Sequence, residues 1–251
     1  MIADPWFWAL ALLAVALTGI SKGGTGGGAV VSTPLIALTV PPAQAAAIML
    51  PVLCLMDLAG VRAYFGRWDA RIMRILVPAG LLGCVIGALT FRLIHDDWLR
   101  VLIGTIALGF LAWSVLPRRA AAQKPGPRAG WFWGTLSGFT SFITHAGGPP
   151  VMVYLIPQKL AKDAFVATSL VFFFTLNYAK LLPYFWLGLF DARILLAAAL
   201  LTPMGVAGIY VGQWLQRRMD VRWFYRVVYT LLLLTGSKLL YDGLTGLFGP
   251  G

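Results

Sequence analysis

Long apolar stretches separated by short polar or glycine-rich breaks run along almost the whole chain, and they fall into two sets of five. The first set covers residues 6–20, 28–40, 43–65, 70–92 and 98–116. The second set covers residues 131–144, 149–158, 163–187, 192–216 and 222–243. Because a helix needs ~20 residues to cross a bilayer, the last three stretches of each set predict spanning helices, whereas the first two are too short.

Each set opens with two short apolar stretches on either side of a glycine-rich break. The first break covers residues 23–28 and the second covers residues 145–150. A continuous helix over 6–40 would be ~52 Å long at 1.5 Å per residue, which exceeds the ~30 Å hydrocarbon core. We therefore predict two broken hairpins, hairpin 1 (residues 6–40) and hairpin 2 (residues 131–158), that enter the membrane and turn back.

The two sets are copies of one unit, because four patterns recur in the same order. They are Trp-Phe-Trp (6–8 and 131–133), the two breaks, Tyr-Phe followed by Asp-Ala-Arg-Ile (64–72 and 184–194), and Pro-x-Gly-x-x-Gly-x-x-x-Gly (78–87 and 203–212). We predict a single transmembrane domain, 1–251, with repeat 1 at 1–117, a basic cytoplasmic loop at 118–130 and repeat 2 at 131–251. For the glycine pairs of the last pattern we expect helix contacts.

The composition is typical of an integral membrane protein. Of the 251 residues, 59% are hydrophobic and 12% are charged, against about 45–50% and about 25% in soluble domains. Glutamate is absent, and the chain has only 2 Cys and 2 His. These values exclude a soluble enzyme, a disordered chain and a disulfide scaffold, and they predict an all-α integral membrane protein without a cofactor.

We attribute the net charge of +11 to basic residues that orient the chain in the membrane, so we expect no nucleic-acid partner. If each hairpin returns to its starting side, 14 of the 20 Lys and Arg residues lie on one side of the membrane and 3 on the other. If each hairpin crosses once, the sides hold 9 and 8. The positive-inside rule therefore favours an inverted repeat of two halves, each a broken hairpin plus three spanning helices, with both termini on the non-cytoplasmic side.

Matching breaks in two inverted halves indicate a transport site. A second helix starts after each break, at Gly28 and at Pro149, so that its free amides and positive dipole end point into the membrane and favour an anion. The predicted substrate-binding residues are Ser21, Lys22, Gly24, Thr25, Gly26, Gly27, Thr144, His145, Gly147, Gly148 and Lys180. Further hydroxyl donors cluster near the breaks, at Ser32, Thr33 and Ser141.

Ionisable side chains inside a membrane are costly and are functional candidates. We predict His145 and Asp57 as proton-coupling groups, with Asn177 at the position of repeat 2 that is equivalent to Asp57. Structural interpretations stay open beside the functional ones. Lys180 can extend to the outer headgroups, Asp57 can pair with Arg62, and His145 can be a hydrogen-bonded structural residue.

The glycine-rich stretch at 19–28, of sequence GISKGGTGGG, together with Pro34, resembles the signature of the TauE/SafE sulfite exporter-like (TSUP) anion permeases. A weaker second copy lies at 147–149, with Ala-Thr-Ser at 167–169 after it. The resemblance covers nearly the whole chain. It implies transport of small sulfur-containing or organic anions, such as sulfite, sulfoacetate, other sulfonates or thiosulfate, mostly as export that uses the proton gradient.

We therefore expect a secondary transporter, proton-linked and exporting, in the cytoplasmic (inner) membrane. Its expected partners are a small anion, the lipid bilayer and a co- or counter-transported proton, and a homodimer stays open. A passive anion channel and an uptake permease are the alternatives. An enzyme is disfavoured, because the few His and Cys residues and the missing Glu leave no metal-ligand cluster or acid pair.

Overall fold

The computed structural model describes residues 4–25, 28–91, 93–116, 124–218 and 221–248. Within these ranges every regular element is helical, and no strand occurs. The α-helices in these ranges are α1 (Pro5–Ile20), α2 (Ser32–Ile36), α3 (Pro42–Ala63), α4 (Ala70–Phe91), α5 (Asp96–Val115), α6 (Pro127–Thr144), α7 (Gly148–Leu155), α8 (Lys162–Trp186), α9 (Ala192–Arg218) and α10 (Val221–Phe248).

In the described part of the chain, 7 helices are long and apolar enough to cross a membrane. Six of them, α3, α4, α5, α8, α9 and α10, correspond to the six predicted spans. The seventh covers Pro5–Gly23, so the prediction that this first segment is too short is wrong by length. The reason is that α1 continues into a π-helical turn, Ser21–Thr25, beyond the predicted end at 20. The chain is an all-α, multi-pass membrane protein.

Helix α6 begins earlier than the sequence predicts. Its first residue is Pro127, with Gly126 as the N-cap, so the helix starts inside the predicted loop at 118–130. A proline fits this place because the first helical position needs no N–H donor. Residues 118–123 of the loop lie outside the described residues.

The loops after α3 and after α8 have the same construction in the two halves. Each contains a glycine with positive φ, Gly66 at 77° and Gly188 at 68°, where a residue without Cβ avoids a steric penalty. In each loop an aspartate then caps the following helix. The Oδ1 atoms of Asp69 and Asp191 accept from the backbone N–H three residues later, at 3.0 Å and 2.7 Å. The duplication therefore extends to the helix caps.

Both predicted breaks interrupt helices where the sequence places them. In hairpin 1 the π turn Ser21–Thr25 ends α1, and a 3-10 helix, Gly28–Val31, leads into α2. In hairpin 2 the chain leaves α6 through His145 in the left-handed conformation, with φ of 56°, and α7 begins at Gly148 with proline in its first turn. Each hairpin thus contains helix ends instead of one continuous helix.

Helices of the two halves pack on each other in a reciprocal way. Helix α1 of repeat 1 packs on α9 of repeat 2, and α6 of repeat 2 packs on α4 of repeat 1. Helices α3 and α8 pack on each other, as do α5 and α10. Since α3 and α8, and likewise α5 and α10, hold equivalent places in the two repeats, the halves interlock instead of standing side by side.

Glycines allow these helix pairs to touch through their backbones. A Cβ atom on Gly138 of α6 would overlap the carbonyl oxygen of Gly80 on α4, and one on Gly83 would overlap the backbone of α6. On the other side, a Cβ on Gly208 of α9 would lie 3.0 Å from the Cα of Gly19 on α1. The predicted role of the repeated glycine pattern in helix contacts is confirmed.

We expect the single methyl group of Gly138→Ala to force α4 and α6 apart and to destabilise the protein by about 1–3 kcal/mol. Thermal unfolding of the purified protein in detergent measures this. The matched control is Gly109→Ala in α5, where nothing lies within 4 Å of the added Cβ, so its melting temperature stays equal to that of the wild type or rises slightly. Equal melting temperatures for both variants would contradict a backbone contact between α4 and α6.

Candidate anion-binding site

Buried polar side chains join both hairpins to α3 and α8. Helix α3 supplies Asp57, α8 supplies Asn177 and Lys180, hairpin 1 supplies Lys22, and hairpin 2 supplies His145. All of these except Lys22 are buried. Because hydrocarbon offers no hydrogen bonds, such groups must find their partners inside the protein. Their hydrogen bonds form two clusters, one around Lys180 and one around Asp57.

Lys180 is fully enclosed, with 0% of its surface exposed. Its Nζ donates to the carbonyl oxygen of Ser141 at 2.9 Å, and it lies 3.1 Å from Ser141 Oγ and 3.0 Å from His145 Nδ1. None of these partners is an anion, and no ion pair within 4.0 Å involves Lys180 among the described residues. The negative end of α6, whose last turn contains Ser141, lies against this ammonium group and offsets part of its charge.

The hydrogen bonds of His145 define its protonation state. Its Nε2 lies 2.9 Å from the carbonyl oxygen of Ala46 on α3, and a carbonyl can only accept, so Nε2 carries the hydrogen. Its Nδ1 faces the Lys180 ammonium, which can only donate, so Nδ1 carries a lone pair. His145 is therefore a neutral imidazole that ties hairpin 2 to both α3 and α8.

The second cluster is built on the carboxylate of Asp57, which is 2% exposed. Lys22 Nζ, from the π turn of hairpin 1, forms an ion pair with Asp57 Oδ1. Asn177 Nδ2 on α8 donates to the other oxygen, Oδ2, at 2.6 Å. The Lys22 side chain is 19% exposed, so the cation of this pair is more accessible than the carboxylate.

Taken together, the two clusters hold one positive charge in excess. Lys22 and Lys180 are cations, Asp57 is the single carboxylate, and His145 and Asn177 are neutral. The described residues contain no group of His, Cys and Asp side chains that could hold a metal ion. A single excess cation in a segment that crosses lipid is an arrangement that an anion would neutralise.

The second break leaves open space next to the start of α7. A Cβ on Gly148, the first residue of α7, would have nothing within 4 Å, so an anion can approach the Gly148 N–H; Pro149 and Pro150 have no N–H, and the Val151 N–H donates to the Gly147 carbonyl oxygen. Gly147, by contrast, is packed, since its Cβ would lie 2.6 Å from the carbonyl oxygen of Ser137. The Thr144 hydroxyl donates to the Thr140 carbonyl oxygen at 3.1 Å and is used within its own helix.

In hairpin 1, four of the predicted binding residues, Ser21, Lys22, Gly24 and Thr25, belong to the π turn. Ser21 is buried and Lys22 is half-buried in its ion pair. Gly26 and Gly27, also predicted to bind the substrate, lie outside the described residues. The structure therefore brings Lys22, His145 and Lys180 close to one another, in line with the predicted grouping around the two breaks.

The structure can be compared with the structural interpretations of Lys180, Asp57 and His145, and the result differs among the three. Lys180 points into the protein and not toward headgroups. Asp57 pairs with Lys22, whereas Arg62 is exposed. His145 does make hydrogen bonds through both ring nitrogens, so its structural interpretation is compatible with the site.

Sequence reasoning missed the partners that hold the lysine in place. Ser141 is identified from the sequence only as one of several hydroxyls, yet it contributes both its carbonyl and its Oγ to Lys180. Tyr184 is part of the site's wall, because its OH donates to the Phe142 carbonyl oxygen at 2.6 Å. A usable signal existed, since Asn177, Lys180 and Tyr184 recur at the spacing of one helix face.

A comparison with protein-family models matches residues 11–239 to the family described as sulfite exporter TauE/SafE. The chain belongs to the TauE/SafE family. The resemblance noted in the sequence is thereby confirmed, and the match covers hairpin 2, hairpin 1 from residue 11 onward, and all the site residues named above. Searches of the curated proteins and of the solved structures gave no match. As a TauE/SafE protein the chain is a membrane transporter of the sulfite-type anion export class and not an enzyme.

The ion pair of this TauE/SafE protein allows a double-mutant cycle. Lys22→Met leaves the Asp57 carboxylate buried without a cation, and we expect a loss of about 3–5 kcal/mol in the free energy of unfolding. Asp57→Asn costs less, because the partly exposed Lys22 can reach water. Combining both substitutions should cost less than their sum, as measured by equilibrium unfolding in mixed detergents. Strictly additive losses would contradict the pairing of Lys22 with Asp57.

Proposed function

We propose that this TauE/SafE protein is a proton-linked secondary transporter that exports small sulfur-containing or organic anions, such as sulfite, sulfoacetate and other sulfonates. The family supplies the transport class. The observation that carries the proposal is the enclosed Lys180, a cation held by neutral acceptors alone in a segment long enough to span the membrane. Burying such a charge is energetically costly unless an anion that enters the site neutralises it.

The anion-binding residues in this proposal lie where hairpin 2 meets α8. Lys180 supplies the charge, Gly148 at the start of α7 supplies its N–H and open space, and His145 orients Lys180 through its Nδ1. Lys22 and the π turn of hairpin 1 supply the second wall. Proton coupling is assigned to the two titratable neighbours of the lysines, Asp57 and His145.

The proposed mechanism is alternating access around this site between two halves of inverted orientation. The reciprocal packing of α1 on α9 and of α6 on α4 supports it, because two halves related by a two-fold axis would make the same contacts twice. The glycine faces between these pairs carry no side chains, so they would give surfaces on which one half slides over the other.

Transport by purified protein in proteoliposomes tests the proposal. We expect saturable flux of one or more anions from a panel of sulfite, sulfoacetate, methanesulfonate and acetate, and a different rate when a pH gradient is imposed. Lys180→Met should weaken binding about 30-fold or more, the loss typical of removing one member of a buried charge pair. Lys238→Met removes an exposed cation of α10 instead and should behave like the wild type.

The results of this assay separate the proposed transporter from other functions. Conductance that does not saturate and does not respond to pH would favour a passive channel. Flux only toward the cytoplasmic side would favour an uptake permease. Wild-type binding in Lys180→Met would remove the assignment of the site.

The orientation of the termini is a separate prediction of the inverted arrangement. Reporters fused at the two ends of the chain, before Met1 and after Gly251, should both report the non-cytoplasmic side, because each hairpin returns to its starting side and 14 cations then face the cytoplasm. Reporters on opposite sides would contradict this arrangement and indicate an odd number of crossings, as the 7 candidate spans that include Pro5–Gly23 would make.

A further inference from the structure

We infer that the Asp57 carboxylate occupies the place beside Lys22 that the negative group of the transported anion takes during transport. A proton taken up by Asp57 frees Lys22 to bind that anion. The proton then travels with the anion in the same direction, so the outward gradient of the anion itself drives export and a proton leaves with it. This inference rests on the proposed function; it narrows the coupling groups of that proposal to Asp57 and adds the direction of the coupling and its stoichiometry of one proton per anion.

The first argument is the unequal use of the two lysines. Lys180 already faces a site without a counter-ion, but Lys22 is neutralised by Asp57. While Asp57 is ionised, an anion that approaches Lys22 meets the repulsion of the carboxylate and has to displace it. When Asp57 is protonated, that attraction is lost and both ammonium groups can contact the anion.

The second argument is the arrangement of the carboxyl group. Its two oxygens have different partners, Lys22 on Oδ1 and Asn177 on Oδ2. Since an amide N–H can donate to a carboxylate or to the carbonyl oxygen of the protonated acid, Asn177 keeps Asp57 in place in both states. The proton binds at Oδ1, the oxygen that the departing Lys22 uncovers.

The third argument is the exposure of the pair. Asp57 is 2% exposed and the Lys22 side chain is 19% exposed. An anion can therefore reach the lysine while the carboxylate stays covered. The net charge of the site also stays the same. Proton uptake removes the negative charge of Asp57, and the bound monovalent anion supplies one negative charge in its place. The loaded and the empty site thus carry the same net charge through the membrane.

The other titratable groups near Asp57 do not offer the same exchange. The helices packed on α3 are α1, α2, α5, α6, α8 and α9. On these helices and the turns that follow them, the titratable groups nearest to Asp57 are Lys22 after α1, His145 after α6, and Tyr178 and Lys180 on α8. Helix α3 itself adds Cys54. Helices α1 and α2 have no titratable side chain, and those of α5 and α9 lie near their ends or, for Tyr210, are exposed. His145 uses both ring nitrogens in hydrogen bonds.

Binding of methanesulfonate tests the inference, because this monovalent anion keeps a fixed charge while the protein titrates. For the wild type in nanodiscs we expect uptake of one proton per anion bound, measured with a pH indicator in weak buffer. On the alkaline side of the pH range, the dissociation constant should rise about tenfold for each pH unit, as linkage to one proton requires. In proteoliposomes, an acidic pH on the side that holds the anion should speed its flux to the other side.

Asp57→Asn should bind methanesulfonate at least as tightly as the wild type does at low pH, with no proton uptake and no dependence on pH. The double variant Lys22→Met with Asp57→Asn retains only Lys180 and should bind more weakly, again without proton uptake. It serves as the second test if the single variant does not fold. The matched control is Asp242→Asn, which disrupts the exposed Lys238–Asp242 pair of α10 and should retain the proton uptake of the wild type.

Three outcomes would overturn the inference. They are proton uptake of the wild-type amount in a folded Asp57→Asn protein, loss of the uptake in His145→Gln instead, and release of a proton when the wild type binds the anion. The last result would indicate counter-transport. If the wild type binds and transports no anion of the panel, the proposed function itself fails, and this result is distinct from the other three.

Discussion

A helix that stops inside a bilayer leaves backbone groups without partners, and hydrocarbon cannot hydrogen-bond them. This constraint organises hairpin 2 and everything packed on it. Lys180 and Tyr184 of α8 donate to the carbonyls of Ser141 and Phe142 in the last turn of α6, and the hydroxyl of Ser137 donates to the carbonyl of Gly147 at 2.6 Å. The groups that close the broken helix are therefore the same groups that place a cation next to it.

The two halves meet this constraint with different chemistry. At a constant offset in the repeat alignment, Lys180 corresponds to Gly60, and Asp57 corresponds to Asn177. One half therefore supplies a paired cation and the other half an unpaired one, although their loops and helix caps remain alike. The two halves thus share their loops and helix caps but differ in charge, since the lysine of one pairs with a carboxylate and the lysine of the other is held by uncharged groups.

Features set by local pattern were predictable from the sequence. The length of the apolar stretches predicts the six spans, and the repeated glycine spacing predicts helix contacts, because close helix packing requires small residues at regular intervals. The breaks are predictable because glycine and proline interrupt helices wherever they cluster. The early start of α6 at Pro127 and the extension of α1 through a π turn were not, since a proline is compatible with both a loop and a first helical turn.

The candidate site was predictable in its members but not in its pairs. The rarity of charge in lipid singled out Lys22, Asp57, His145 and Lys180. Which of them meet depends on the packing of α3 against α8, a contact between residues more than a hundred positions apart. For that reason the sequence suggested Arg62, a near neighbour, as the partner of Asp57, whereas the actual partner comes from hairpin 1.

The glycine contact between α1 and α9 has a consequence for biogenesis. Helix α1 is synthesised before α9, but the backbone groove that receives it belongs to Gly205, Gly208 and Gly212 of α9. Until α9 is made, the glycine face of α1 at Gly19 and Gly23 has only lipid or the insertion machinery to contact. Assembly of this protein therefore waits for its C-terminal half, and a chain truncated before α9 would expose that face as a target for membrane quality control.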